Sequence, residues 1–201
     1  MIHAIEIVRE MDVVPQQQIP AGRKQGLVSL LYDYRGYHEN PIQTMPDGGE
    51  FRRPISLVEI SDYYSNPTFF GPFRSSPLVE QFAVKVNAYI RIPVAGRYVF
   101  TLESNDGSQM WIWTTESKQR STPVFINNDG NHGRIQIYGS VNFGAPGFYP
   151  VLVKYFQGHH NICFRIYWMT PWDDQTRYVP DSNVGRIVSP EYWSYSDDMF
   201  S

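Results

Sequence analysis

Two stretches of the chain crowd oxygen-bearing side chains into turns: Ser104 to Gly107, with the pair Asn105-Asp106, and the run Asn127-Asn128-Asp129-Gly130-Asn131. Carboxylate and amide oxygens are hard ligands, so either turn could contribute to a cation site. The same residue types close tight turns through their own side-chain hydrogen bonds and tolerate positive φ. At Asn105, Asp106, Asn128 and Asp129 that structural role carries the greater weight.

Other reactive side chains point away from catalysis. His159 and His160 are adjacent, and neighbours on a strand face opposite ways, so they rarely chelate one ion together. His132 follows Asp129 closely enough for a hydrogen bond within the turn. Asp173-Asp174 and Asp197-Asp198 read as solvated charges. Ser108 follows Gly107, but there is no G-x-S-x-G turn, no phosphate loop, no dinucleotide fingerprint and no zinc spacing. Cys163 is the single cysteine. It cannot form an intrachain disulfide, and its place in an alternating segment predicts a buried, inert thiol. The expectation is a protein that is not an enzyme.

Charge and hydropathy narrow the partners. A net charge of −3 supplies no basic stripe for neutralising phosphates, which sets nucleic acid aside. No apolar run reaches membrane-spanning length, so no membrane insertion is expected. The N-terminal MIHAIEIVREMDVV lacks an apolar core with a small-residue cleavage site. It is therefore expected to be the native start of a chain made in the cytoplasm.

The elements that must position the turns are strands. Phe82, Val84, Val86, Ala88, Ile90 and Ile92 alternate with Lys85, Asn87, Tyr89 and Arg91, the period-two pattern of a half-buried strand. Pro93 to Gly96 makes a turn, Tyr98, Phe100 and Leu102 share a face, Ser104 to Gly107 turns again, and Met110 to Trp113 follows. Ile135, Ile137, Gly139, Val141 and Phe143 alternate, as do Tyr149, Val151, Val153 and Tyr155, and then Ile162, Phe164, Ile166 and Trp168. Gly26 to Tyr34 reads as a further strand, and 35–54 and 65–77 read as long loops, the latter holding Phe69, Phe70 and Phe73. Many short strands with turn signals between them predict an all-β, antiparallel β-sandwich. The expected organisation is an extended N-terminal arm over 1–25, the sandwich over 26–171, and an aromatic C-terminal tail over 172–201.

Five pieces in order resemble a known family, the PA14 domain: GLVSLLYDY, AYIRIPVAGRYVFTLESNDGSQMWI, VFINNDGNHG, GSVNFGAPGFYPVLVKYF and ICFRIYWMTP, covering roughly Gly26 to Pro171. The resemblance implies a sandwich of PA14 type that is usually non-catalytic and binds glycans or proteins. In glycan-binding members, two aspartates joined by a cis peptide bond chelate calcium at the turn matching Ser104 to Gly107. This chain departs from that pattern, with Asn105 before Asp106, so the implied site loses one negative charge. Asn128 and Asp129 stand where the family draws further ligands, with Asn127 and Asn131 beside them. Calcium is thus the cofactor the resemblance implies.

Two functional readings follow. In the first, the sandwich is a rigid interaction module in a larger particle such as a viral capsid, contacting other protein subunits through its arms. Tyr192, Trp193, Tyr195 and Phe200 would form the interface, being residue types enriched in interface cores. In the second, the chain is a calcium-dependent carbohydrate-binding module, extracellular, with Asn105, Asp106 and the 127–131 loop at the ion and Trp111 or Trp113 as stacking platforms for a glycan.

Overall fold

A computed structural model describes residues 18–34, 43–46, 56–60, 80–115, 118, 122–159, 162–173, 186–188 and 192–196. Its elements are β1 (Lys24–Gln25), β2 (Leu27–Asp33), β3 (Ser56–Ile60), β4 (Phe82–Ile92), β5 (Gly96–Asn105), β6 (Ser108–Ile112), β7 (Val124–Asn128), β8 (Ile135–Phe143), β9 (Gly147–Gln157), β10 (Cys163–Met169), β11 (Arg186–Ile187) and β12 (Trp193–Tyr195). They form an antiparallel sandwich of an eight-stranded and a four-stranded sheet.

The large sheet is built on β4. One edge of β4 pairs along its whole length with β9, from Phe82 opposite Gln157 to Ile92 opposite Gly147. Its other edge is shared: β2 pairs with Phe82 to Val86, and β12 pairs with Tyr89 and Ile90. Beyond β9 lie β6 and then β7. The small sheet runs β11-β10-β5-β8. The alternation in β4 holds: Phe82, Val84, Val86, Ala88, Ile90 and Ile92 are all buried, while Lys85, Asn87, Tyr89 and Arg91 are half-exposed on the opposite face. They meet Tyr98, Phe100, Leu102, Phe164, Ile166 and Trp168 of the small sheet in one core. Around Tyr98, ring centroids of Phe143 and Trp168 lie 5.5 and 5.6 Å away, within the range of favourable aromatic contacts.

Three sequence expectations need correction. Within the expected tail, the described residues join the sandwich: β11 extends the small sheet beside β10, and β12 enters the large sheet between β1 and β4. Trp193, the largest fully buried side chain, Tyr195 and Val188 are buried within this same chain. Trp193 and Tyr195 therefore have no surface to offer a neighbouring subunit. Tyr192 is half-buried against Trp168, ring centroids 4.7 Å apart, with the Arg91 guanidinium 4.8 Å from its own ring. Phe200 lies outside the described residues, as do residues 1–17 and the phenylalanines of 65–77. The 1–25 arm is likewise not wholly separate, since Lys24 and Gln25 pair with Tyr195 and Ser194. Finally, Ile135 and Ile137 do not share the burial of Val141 and Phe143. They lie at the N-terminal end of β8 and are exposed, whereas the C-terminal end of the same strand is covered.

The outer face of the small sheet holds a buried charge. Glu103 is 1% exposed, and it accepts hydrogen bonds from Arg165 Nη1 at 2.8 Å, the Tyr167 hydroxyl at 2.8 Å and Gln136 Nε2 at 3.3 Å. Arg134, largely exposed, adds an ion pair at 3.3 Å. Burial works against ionisation, but the hydrogen bonds from Arg165, Tyr167 and Gln136 outweigh it and hold the carboxyl below the usual carboxylate range.

Candidate functional site

The structure brings the two oxygen-rich turns together. The β5–β6 turn carries the Asn105-Asp106 pair, whose peptide bond is cis, and the 128–133 loop folds against it. Ser104 Oγ lies 2.8 Å from both Ser108 Oγ and Asn128 Nδ2. Gly107 sits where a Cβ would be 2.9 Å from the Gly130 nitrogen and would collide with the Phe156 ring. The close approach of the loops therefore depends on that glycine.

What the turns do with their oxygens is the decisive point. Asp106 is 3% exposed. Its Oδ1 accepts the His132 N–H at 3.1 Å, and its Oδ2 accepts the Gly158 N–H at 2.8 Å and Gln157 Nε2 at 3.4 Å. The Asn105 carbonyl oxygen lies 2.7 Å from the Tyr155 hydroxyl, which also reaches Gln157 Oε1 at 2.6 Å. Burial, and then the nearby Asp106 charge, push the Tyr155 phenol well above its ordinary pKa, so it serves as a neutral donor. Asp129 Oδ1 accepts the N–H groups of Met45 at 2.7 Å and Gly130 at 2.8 Å. Met45 belongs to a segment that covers part of the outer face of the large sheet with Tyr32, Tyr34, Ala83 and Phe156. The Asn128 carbonyl oxygen is 3.1 Å from His132 Nε2.

These residues do not fit a resident calcium ion. Calcium takes about six to eight oxygen ligands with converging negative charge. Here both oxygens of Asp106 and one oxygen of Asp129 already accept N–H groups. Asn105, Asp106, Asn128 and Asp129 therefore pin one turn to another, and Asn131 is exposed in the same loop. Asp106→Ala is expected to strand buried N–H donors at about 1–3 kcal/mol each. Millimolar calcium is expected to leave the melting temperature of the native protein unchanged, whereas a rise would show that the ion binds the folded state.

The remaining predicted residues lie elsewhere and do meet. Met110 and Ile112 point into the core, so Gln109, Trp111 and Trp113 fall on the outer face of the large sheet. Register places Trp111 opposite Phe125 of β7 and opposite Leu152 of β9, which in turn lies opposite Asn87 of β4. The Trp111 and Phe125 rings stack with centroids 4.8 Å apart and planes 22° from parallel, and Phe125 is 48% exposed. In the next row, Gln109 Nε2 donates to Asn127 Oδ1 at 3.0 Å. Sequence reasoning missed Phe125, because only Asn127 to Asn131 was read there, as an oxygen-rich turn, although Val124–Asn128 is a strand paired with β6.

Cys163 is half-buried rather than buried. Burial, and then Glu103, raise its pKa, which keeps it a thiol. His159 is tied to Glu80 at 2.9 Å and to Gln81 at 3.1 Å.

Solved structures of low sequence identity share this fold. The chain is similar to the PA14 domain of the MpAFP antifreeze protein, with TM-score 0.59 and 12% identity over 90% of this chain and 95% of that one. It is similar to the epithelial adhesin 6 A domain of Candida glabrata in complex with Galβ1-3GlcNAc, with TM-score 0.57 and 18% identity over 92% of each chain. It also resembles a PA14 sugar-binding domain from an RTX adhesin, with TM-score 0.52 and 17% identity over 72% of this chain and 89% of that one. No curated protein matches the chain. The PA14 domain model matches residues 65–182, more than half of the chain. With the two-sheet architecture this establishes the relationship: the chain belongs to the PA14 domain family.

Proposed function

We propose that this PA14 domain is a non-enzymatic carbohydrate-binding module that stacks sugar rings on the outer face of its large sheet, without calcium. The observation that carries the reading is the exposed aromatic ledge of Trp111 on Phe125, continued by Trp113 and bordered by the amides of Gln109, Asn127 and Asn87. Aromatic faces cover the apolar side of a pyranose, and amides both donate to and accept from its hydroxyls. Exposed apolar groups rimmed by polar ones mark interaction surfaces. The sugar complex of the adhesin A domain and the sugar-binding RTX domain lend support at the level of the family. The assembly reading loses its motivation, because Trp193 and Tyr195 are spent on the chain's own core.

A glycan array in the presence of chelator, followed by calorimetry on the strongest hit, tests this. Trp111→Ala and Phe125→Ala are each expected to weaken binding by about tenfold, the equivalent of roughly 1.4 kcal/mol, with the thermal melt little changed. Binding that survives both substitutions, or that vanishes in chelator, would overturn the reading.

A further inference from the structure

The aromatic ledge is bordered on its inner side by cations. Lys85 of β4 lies directly opposite Lys154 of β9, and Lys154 lies opposite Gln109 of β6. Lys154 Nζ is 5.4 Å from the centre of the Trp111 ring. Lys118 Nζ is 5.0 Å from the centre of the Trp113 ring and 3.3 Å from Asn87 Oδ1. Two ammonium groups thus lie over the two indoles, with Lys85 beside Lys154 in register and close enough to Lys118 for its charge to be felt there. Like charges directly opposite each other on neighbouring strands repel.

We infer that the ligand of this face is an acidic saccharide, its ring against Trp111 and Phe125 and its carboxylate or sulfate held among Lys85, Lys118 and Lys154. This inference rests on the carbohydrate-binding reading and names the class of sugar. An anionic group placed there would accept charge-assisted hydrogen bonds, which are stronger than neutral ones. Lys118 is an exposed residue whose ammonium is nonetheless drawn in over Trp113. That desolvation, and then the Lys85 charge, lower its pKa, as expected where cations are gathered. The chain as a whole carries −3, while Lys85, Lys118 and Lys154 lie together on this face. Selection of a locally anionic, ring-bearing ligand fits this better than attraction of a long polyanion by overall charge.

The test is calorimetry of the full chain with three probes at low salt: an oligogalacturonide, a heparin-derived hexasaccharide and a neutral galacto-oligosaccharide of similar length. The first two separate carboxylate from sulfate as the preferred group. At least one acidic probe is expected to bind about tenfold or more tighter than the neutral one, and the advantage should shrink as salt is raised. Lys85→Gln combined with Lys154→Gln is expected to abolish that preference while leaving neutral-sugar binding intact. Equal affinity for neutral and acidic probes, lost in Trp111→Ala, would overturn this inference but not the carbohydrate reading. No binding of any saccharide would overturn both. An oligothymidylate that competes as well as the best acidic sugar would show a general anion patch and also overturn the inference.

Discussion

Replacing Trp193 with alanine is expected to destabilise the protein by about 3–5 kcal/mol, the cost of removing a large, fully buried aromatic and leaving a cavity. For a chain of this size the melting temperature should fall by roughly 10 °C. The side chain is 1% exposed, and its strand pairs with Ile90 and Tyr89 on one side and with Lys24 and Gln25 on the other. Trp193→Phe keeps most of the buried area and should cost much less. Denaturant melts of the monomeric protein check both values. If Trp193 served an intermolecular contact instead, alanine would alter association and leave the monomer's stability untouched.

Removing the carboxylate of Glu103 is expected to have an effect of similar size. Glu103→Ala leaves the Arg165 guanidinium, itself mostly buried, beside a stripped site. Breaking a buried pair from one side costs about 3–5 kcal/mol, whereas the intact pair need not be strongly stabilising. Glu103→Gln retains acceptor capacity and should fall between alanine and the native protein. The pair also sets a pH dependence. The folded carboxyl ionises below its unfolded value of 4.5, and Arg165 is correspondingly held charged: burial opposes its charge, but the hydrogen bond it donates to Glu103 raises its pKa. The contribution is therefore fully present above about pH 4.5 and is lost as the pH falls through the lower, folded value. Stability measured from pH 7 to pH 3 should decline less steeply in Glu103→Gln than in the native protein.

Strand identity was legible where one face is buried and the other solvated. The alternation from Val84 to Ile92 marks β4 because the inward residues are buried in the core shared with the small sheet while the outward ones, Lys85, Asn87, Tyr89 and Arg91, remain half-exposed. The two- and three-residue strands β11 and β12 carry no readable period, and their place is set by long partners, Tyr167-Trp168 and Tyr89-Ile90. The meeting of the two oxygen-rich turns follows from the family pattern, but their chemistry does not follow from composition. Asp106 and Asp129 offer oxygens in the sequence, and only tertiary contacts with His132, Gly158 and Met45 reveal that N–H groups claim them. The aromatic ledge was half legible. Trp111 and Trp113 alternate with Met110 and Ile112, whereas Phe125 joins Trp111 only through the β6–β7 register.

The central claim is that sugar is held on the outer sheet face and not at the paired turns. The most direct measurement is a map of backbone-amide and indole N–H chemical-shift changes as the tightest array glycan is added in the presence of chelator. The account predicts changes centred on Trp111, Trp113, Phe125, Gln109 and Asn127, with the amides of Gly107, Gly130 and His132 unmoved. Changes centred on Asn105 to Gly107 and Asn128 to His132, appearing only when calcium is restored, would contradict it.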